Sequence, residues 1–134
     1  MLLFGRKKKK DTGLWGEEQA ERLLRSKGYR ILGRRVRLSA RDEIDIVARD
    51  DETLVFVEVK TRRTEDFGRP LAAVDREKRR SLSRAAVRYL QRLKYPDVCF
   101  RFDVVEVVGR VDDAKPCLRH VENAFALGKK YRLP

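Results

Sequence analysis

The sequence predicts an α/β fold, a single domain with one mixed sheet flanked by helices. Three observations carry that expectation. The chain has 134 residues of which 42% are hydrophobic, enough for one domain with its own core. Two stretches show helical spacing of apolar residues and are set among runs that alternate like strands. Their order, α-β-β-β-α-β-β, suggests one mixed sheet flanked by helices.

Thr12 to Lys27 reads as the first helix. Thr12 is a plausible N-cap, Glu17 and Glu18 lie in the N-terminal half, and Ala20, Leu23 and Leu24 form an apolar stripe that Gly28 stops. Tyr29 to Leu38 alternates apolar and basic residues and reads as a first strand. Glu43 to Arg49 and Leu54 to Lys60 are two further strands around an acidic turn, and Arg62 to Pro70 is a polar loop. Asp75 can cap a second helix whose apolar face is Leu82, Ala85, Ala86, Tyr89, Leu90 and Leu93, ending at Tyr95-Pro96. Val98 to Val108 is rich in β-formers, and Leu118 to Val121 is a last short strand.

Composition narrows the class of partner. There are 33 Lys and Arg against 21 Asp and Glu, a formal charge of +12. Eight of the basic residues sit in acid-free tails, 1–10 and 128–134, leaving 25 against 21 in the domain 11–127. A polyanion is the expected partner, with nucleic acid ahead of an anionic membrane. No apolar run is long enough to span a bilayer, and Met1-Leu2-Leu3-Phe4 is too short for a signal peptide. Cys99 and Cys117 form neither a disulfide framework nor a metal clip and read as reduced thiols of a cytoplasmic protein.

The hairpin Glu43 to Lys60 carries the chemistry. With a turn at Asp51-Glu52, paired positions sum to 103, placing Ile46 opposite Val57 and Ile44 opposite Val59 on one apolar face. Asp45 then faces Glu58, and Glu43 faces Lys60. Carboxylates about 5 Å apart on one face repel and need a proton, a cationic side chain or a divalent metal between them. The acids sit inside Val-Phe-Val-Glu-Val-Lys, a run that reads as a buried central strand, where a charge needs a purpose.

Asp45 followed by Glu58-Val59-Lys60 resembles the Asp…Glu-x-Lys site of restriction-endonuclease-like nucleases, and Glu17 resembles the extra glutamate of the branch that includes archaeal Holliday-junction resolvases. The ordered set resembles the YraN-like family of bacterial proteins more closely still. It comprises Gly16-Glu17, Gly28-Tyr29-Arg30-Ile31-Leu32, Glu43-Ile44-Asp45-Ile46-Val47, Val55 to Arg62, Lys78, Ala85-Ala86 and Arg101-Phe102-Asp103-Val104-Val105. The resemblance runs from about Gly13 to Phe125. It implies a restriction-endonuclease-like fold and a Mg²⁺- or Mn²⁺-dependent nuclease acting on DNA rather than RNA, on branched or flapped structures. The alternatives are a non-catalytic nucleic-acid-binding module that kept the fold and a basic structural partner of a ribonucleoprotein. A homodimer is implied only by the resolvase-like branch.

The metal-binding roles and that of Lys60 are likewise implied by the resemblance. Asp45 and Glu58 hold the metal, the Val59 carbonyl adds an oxygen, and Glu17 holds a bound water or a second ion. Lys60 orients the attacking water or stabilises developing charge. Near the site in sequence, Arg62, Arg63, Arg34, Arg35 and Arg37 are candidate phosphate contacts, with Arg79, Arg80 and Arg84 further off. Lys78 ranks above its neighbours because it belongs to the family pattern. Trp15, Phe67 and Tyr95 are candidates for stacking on bases. His120 is a candidate metal ligand or general base, and Asp103 reads as a buried, paired acid. Asp42 stands where the family usually has Gly, either as an extra carboxylate near the site or as an exposed turn residue.

Overall fold

The computed structural model describes residues 12–63, 74–129, 131 and 133. The basic stretch 1–10, Phe67 and Arg132 lie outside them. The elements are α1 (Thr12–Ser26), β1 (Arg30–Arg37), β2 (Glu43–Asp50), β3 (Thr53–Arg62), α2 (Arg76–Arg92), β4 (Phe100–Val108) and β5 (Cys117–Phe125). The strands form one sheet in the order β1-β2-β3-β4-β5. All neighbours are antiparallel except β3 and β4, which α2 connects as a crossover. The α/β expectation holds, with the seven elements in the predicted order.

Each helix covers one face of the sheet. On one side Trp15, Ala20 and Leu24 of α1 pack on Ile46, Ala48, Val55, Val57, Val105 and Val107. On the other, Leu82, Ala85, Ala86 and Leu90 of α2 pack on Val47, Phe56, Phe102 and Val104. With both faces covered, the central strands read as nearly continuous apolar runs. Helix α1 stops where Gly28 takes φ +89, with Gly28 N–H donating to Arg25 O and Tyr29 N–H to Leu24 O, a paired closure that left-handed glycine permits. At its other end α1 lies so close to β3 that a Cβ on Gly16 would overlap Thr61 Oγ1. That approach brings Glu17 toward the end of β3. Helix α2 begins as predicted, with the Asp75 carboxylate accepting the Lys78 N–H at 2.8 Å.

Two strands run longer than predicted. β3 continues to Arg62 because parallel pairing with β4 extends to Arg62–Val108. β5 runs nine residues to Phe125 rather than stopping at Val121. Its exposed Glu122 and Asn123 fall in an irregularity between the Val104–Val121 and Phe102–Phe125 pairs, and pairing with β4 resumes beyond it at Phe125.

The hairpin register is as predicted over half its length. Asp50–Thr53 through Ile46–Val57 pair with positions summing to 103, but the ladder ends there. Ile44 is not opposite Val59. It packs with Val47 in the α2-side core, whereas Ile46 and Ala48 face α1. The alternation that would put Ile44 and Ile46 on one face breaks at Asp45, and neighbouring Arg35 on β1 takes φ +46. Glu43 pairs with Arg37 at 3.1 Å rather than with Lys60.

Asp42 is neither an extra carboxylate of the site nor an exposed turn residue. It is buried, and both its oxygens accept from Arg84 of α2 at 2.7 Å. This bidentate bond with Arg84 is the main reason its pKa lies below the ordinary carboxylate value, burial acting against it. The pair ties α2 to the turn before β2. Asp42→Ala should cost about 2–3 kcal/mol, because it strands a partly buried guanidinium. Urea denaturation with an unchanged m-value is the check.

Candidate carboxylate site

The site forms where β2 and β3 part. The Asp45 side chain takes the place of a ladder acceptor, its Oδ2 receiving the Val59 N–H at 2.8 Å. Its carboxyl is within hydrogen-bonding reach of Glu58. Glu58 is 3% exposed, and its Oε2 makes no hydrogen bond. Two ammonium groups approach that oxygen, Lys78 Nζ at 3.3 Å and Lys60 Nζ at 3.7 Å. Burial first, and then Glu58 itself, push the Asp45 carboxyl up to about 8, against the pull of the Val59 N–H and Lys78. Without a metal, the Asp45 carboxyl therefore keeps its proton up to neutral pH.

Glu17 lies on the α1 side of the same region. It lines a cavity of about 300 Å³ together with Glu21, Arg34, Arg35 and Asp45. Its carboxylate is bound by Arg35, Nε at 2.9 Å and Nη2 at 3.2 Å. Burial raises its pKa, the Arg35 bond opposes this, and Asp45 and Glu43 add repulsion. Among the described residues no three acidic, His or Cys side chains converge closely enough to hold an ion by themselves. The structure thus brings together Asp45, Glu58, Lys60 and the Val59 backbone, and adds Lys78 to them. It places Glu17 beside them, engaged with Arg35.

The pair suits a hard divalent ion. Its donors are all oxygens, two carboxyl groups meet in a desolvated position, and Glu58 Oε2 is orphaned. Waters complete the shell of such ions, Mg²⁺ above all, when the protein supplies only one or two carboxylates.

Most candidate phosphate contacts are already engaged within the chain. Arg34 is bound to Glu21, Arg37 to Glu43, and Arg84 to Asp42. Arg62 Nε lies 3.6 Å from buried Glu106, and Arg79 stacks over the Phe125 ring. Arg63 and Arg80 are exposed. Trp15 is 1% exposed, so it is a core residue rather than a base-stacking platform. Tyr95 is exposed. His120 is taken up by another partner: its Nε2 lies 2.7 Å from Asp103, which is buried and paired as expected. Both cysteines are exposed thiols outside any disulfide.

One acid escapes a reading of the sequence. Glu106 on β4 is fully buried, and neither of its oxygens makes a hydrogen bond. Arg119 Nη1 lies 3.7 Å from one of them. The signal is present: an acid inside Val-Val-Glu-Val-Val repeats the pattern that singles out Glu58.

Fold and site together define a small basic α/β domain whose mixed sheet carries a desolvated Asp–Glu pair with two lysines directed at it. Its sequence matches the profile described as "Uncharacterised protein family UPF0102" over residues 16–107. A UPF0102 protein of Geobacter sulfurreducens is 47% identical over 118 residues, 88% of this chain and 91% of its own. One from Caldicellulosiruptor saccharolyticus is 43% identical over 117 residues, 87% and 98% of the two chains. One from Chlorobium phaeobacteroides is 45% identical over 121 residues, 86% and 94%. The chain belongs to UPF0102, the YraN family. Among its described residues no helix is long and apolar enough to cross a membrane.

Proposed function

We propose that this chain is a metal-dependent nuclease that hydrolyses phosphodiester bonds in DNA, with branched or flapped structures among its substrates. One observation carries the reading: the buried Asp45–Glu58 pair, with an orphaned carboxylate oxygen that two ammonium groups face. A fold without use for such a pair would gain by replacing it with apolar residues, since adjacent desolvated carboxylates destabilise it.

Asp45 and Glu58 would hold the ion, and bound Mg²⁺ or Mn²⁺ supplies charge neutralisation on the phosphate and a more acidic water. The Val59 N–H fixes the Asp45 carboxylate in place. Lys60 lies beside Glu58 with its ammonium partly exposed, where it can meet charge developing on a phosphoryl oxygen. Exposed Arg63 and Arg80 supply salt-sensitive attraction to the strand.

Cleavage of linear, flapped and four-way DNA is measured with Mn²⁺, with Mg²⁺ and with EDTA. Product is expected with either ion and not with EDTA. Glu58→Ala should lower the rate at least a hundredfold while leaving the circular dichroism spectrum unchanged. Equal cleavage by Glu58→Ala sinks the assignment.

The alternative, a non-catalytic nucleic-acid-binding module, draws on a different observation. Glu17 is committed to Arg35, so only two carboxylates meet at the pair. That reading predicts DNA binding of equal strength with EDTA and with Mg²⁺, and no product from any substrate.

A further inference from the structure

We infer that Lys78 is an exchangeable cation of the carboxylate site: its ammonium caps Glu58 Oε2 while no divalent ion is bound, yields that oxygen when an ion binds, and then takes a phosphate of the polynucleotide. The inference rests on the metal-centre reading above.

Charge is the first reason. Two ammonium groups, at 3.3 and 3.7 Å, are directed at one oxygen that accepts a hydrogen bond from neither. A divalent ion ligated at Oε2 would sit against both, and repulsion at such distances is strong where water is scarce. One of them has to leave.

Geometry decides which. Lys60 lies on the same strand as Glu58, two residues along and on the same face, with its backbone paired to β4 opposite Glu106. Lys78 reaches across from the first turn of α2. Its backbone N–H is pinned by the Asp75 cap, and α2 itself is held by Asp42 and Arg84. Its Cα is therefore fixed while its side chain, 39% exposed, ends at the rim of the site. A long flexible stem on a fixed base lets the ammonium swing into solvent without moving the helix. Its departure uncovers Oε2 from the solvent side. An ammonium is well suited to both partners in turn, since it binds as a point charge and needs no fixed fork geometry.

The test is Mn²⁺ binding to the full chain without nucleic acid, followed by the electron paramagnetic resonance signal of the free ion. Lys78→Met is expected to bind Mn²⁺ at least tenfold more tightly than the native chain. Lys60→Met is expected to differ from it less than threefold. A second readout is the gain in melting temperature on adding Mn²⁺, which should be larger for Lys78→Met, since an ion bound to the native state alone stabilises it in proportion to its affinity. Lys78→Gln serves in the same way if the methionine variant does not fold. Unchanged or weaker Mn²⁺ affinity in the Lys78 variants overturns the inference and leaves the nuclease reading standing, as does tightening by Lys60→Met instead. No Mn²⁺ binding by any of the chains overturns both. With Ca²⁺ in place of Mn²⁺, Lys78→Met should lower the salt dependence of DNA binding by about one counterion, and with EDTA it should not. An equal loss in both conditions overturns the second half of the exchange.

Discussion

Asp45→Asn should melt several degrees above the native chain at pH 9 in EDTA, and should not cleave DNA at any pH. The two effects share one cause. In the folded state the Asp45 carboxyl is held up to about 8, from an ordinary value of 3.8, by burial and then by Glu58. A raised acid keeps its proton in the folded state after the unfolded chain has released it. Its contribution is therefore fully present below the unfolded value. It declines as pH rises through the window between the two values, and above about pH 8 it is gone. Every tenfold difference in proton affinity between the folded and unfolded chain corresponds to about 1.4 kcal/mol, so the native chain should lose a few kcal/mol across that window. Asparagine keeps an oxygen for the Val59 N–H and offers Glu58 an N–H in place of the Asp45 proton, with nothing to ionise. Its stability should be nearly flat from pH 5 to 9. At about 4 °C per kcal/mol for a chain of this size, the separation at pH 9 is well within reach of calorimetry. Matching pH profiles for the two chains, or a lower melting temperature for Asp45→Asn at pH 9, would rule out the desolvated pair. Excess Mn²⁺ should reverse the order, stabilising the native chain and leaving the variant unmoved.

The positions of these acids are legible because the hairpin is a local object. Alternation and a two-residue turn fix which residues of β2 and β3 can meet, and Ile46–Val57 follows from Asp50–Thr53 by counting. The break at Asp45 is not legible. It depends on β1, where Arg35 takes a positive φ, and on a side chain replacing a ladder bond, neither of which leaves a mark in apolar periodicity. Most of the arginines mislead for a related reason. A basic residue in a basic protein suggests a phosphate, but Arg34, Arg35 and Arg37 lie near acids of α1 and β2 that are distant in sequence or only just beyond a turn. Lys78 presents the opposite case. Sequence pattern places it among the phosphate contacts, and the packing of α2 on the sheet puts it at the carboxylate pair. Spacing within one element shows which side chains share a face. It does not show how a helix lies across a sheet, which here involves both the apolar face of α2 and the Asp42–Arg84 bond.

Asp103→Ala should lower the melting temperature by about 10–20 °C. Asp103 is wholly buried and accepts from three sources: Arg101, the ring Nε2–H of His120 at 2.7 Å, and the Asn123 N–H at 3.0 Å. Each partner is tied onward. Arg101 Nη2 also donates to Tyr29 Oη at 2.6 Å and to Asp50 at 3.1 Å. Tyr29 donates to Glu122, and Lys27 donates to His120 Nδ1 at 2.9 Å. Alanine leaves a largely buried guanidinium and a backbone N–H without their acceptor, a loss of about 3–5 kcal/mol. Burial pushes the Asp103 carboxyl up, but the bonds from His120, Arg101 and the Asn123 N–H outweigh it and hold its pKa below the ordinary value. The charged form is thus the one the fold favours. Its contribution is complete above the unfolded value and is lost only as pH falls through the lower, folded one. The network closes around Tyr29, directly after the glycine that ends α1, so it fixes the helix that carries Glu17 by its far end. A purely structural role has a clear signature. Asp103→Ala should cleave DNA at the native rate at low temperature, where it stays folded, and lose activity only as it unfolds. Loss of cleavage in the cold with the fold intact would instead couple the network to the carboxylate site through α1.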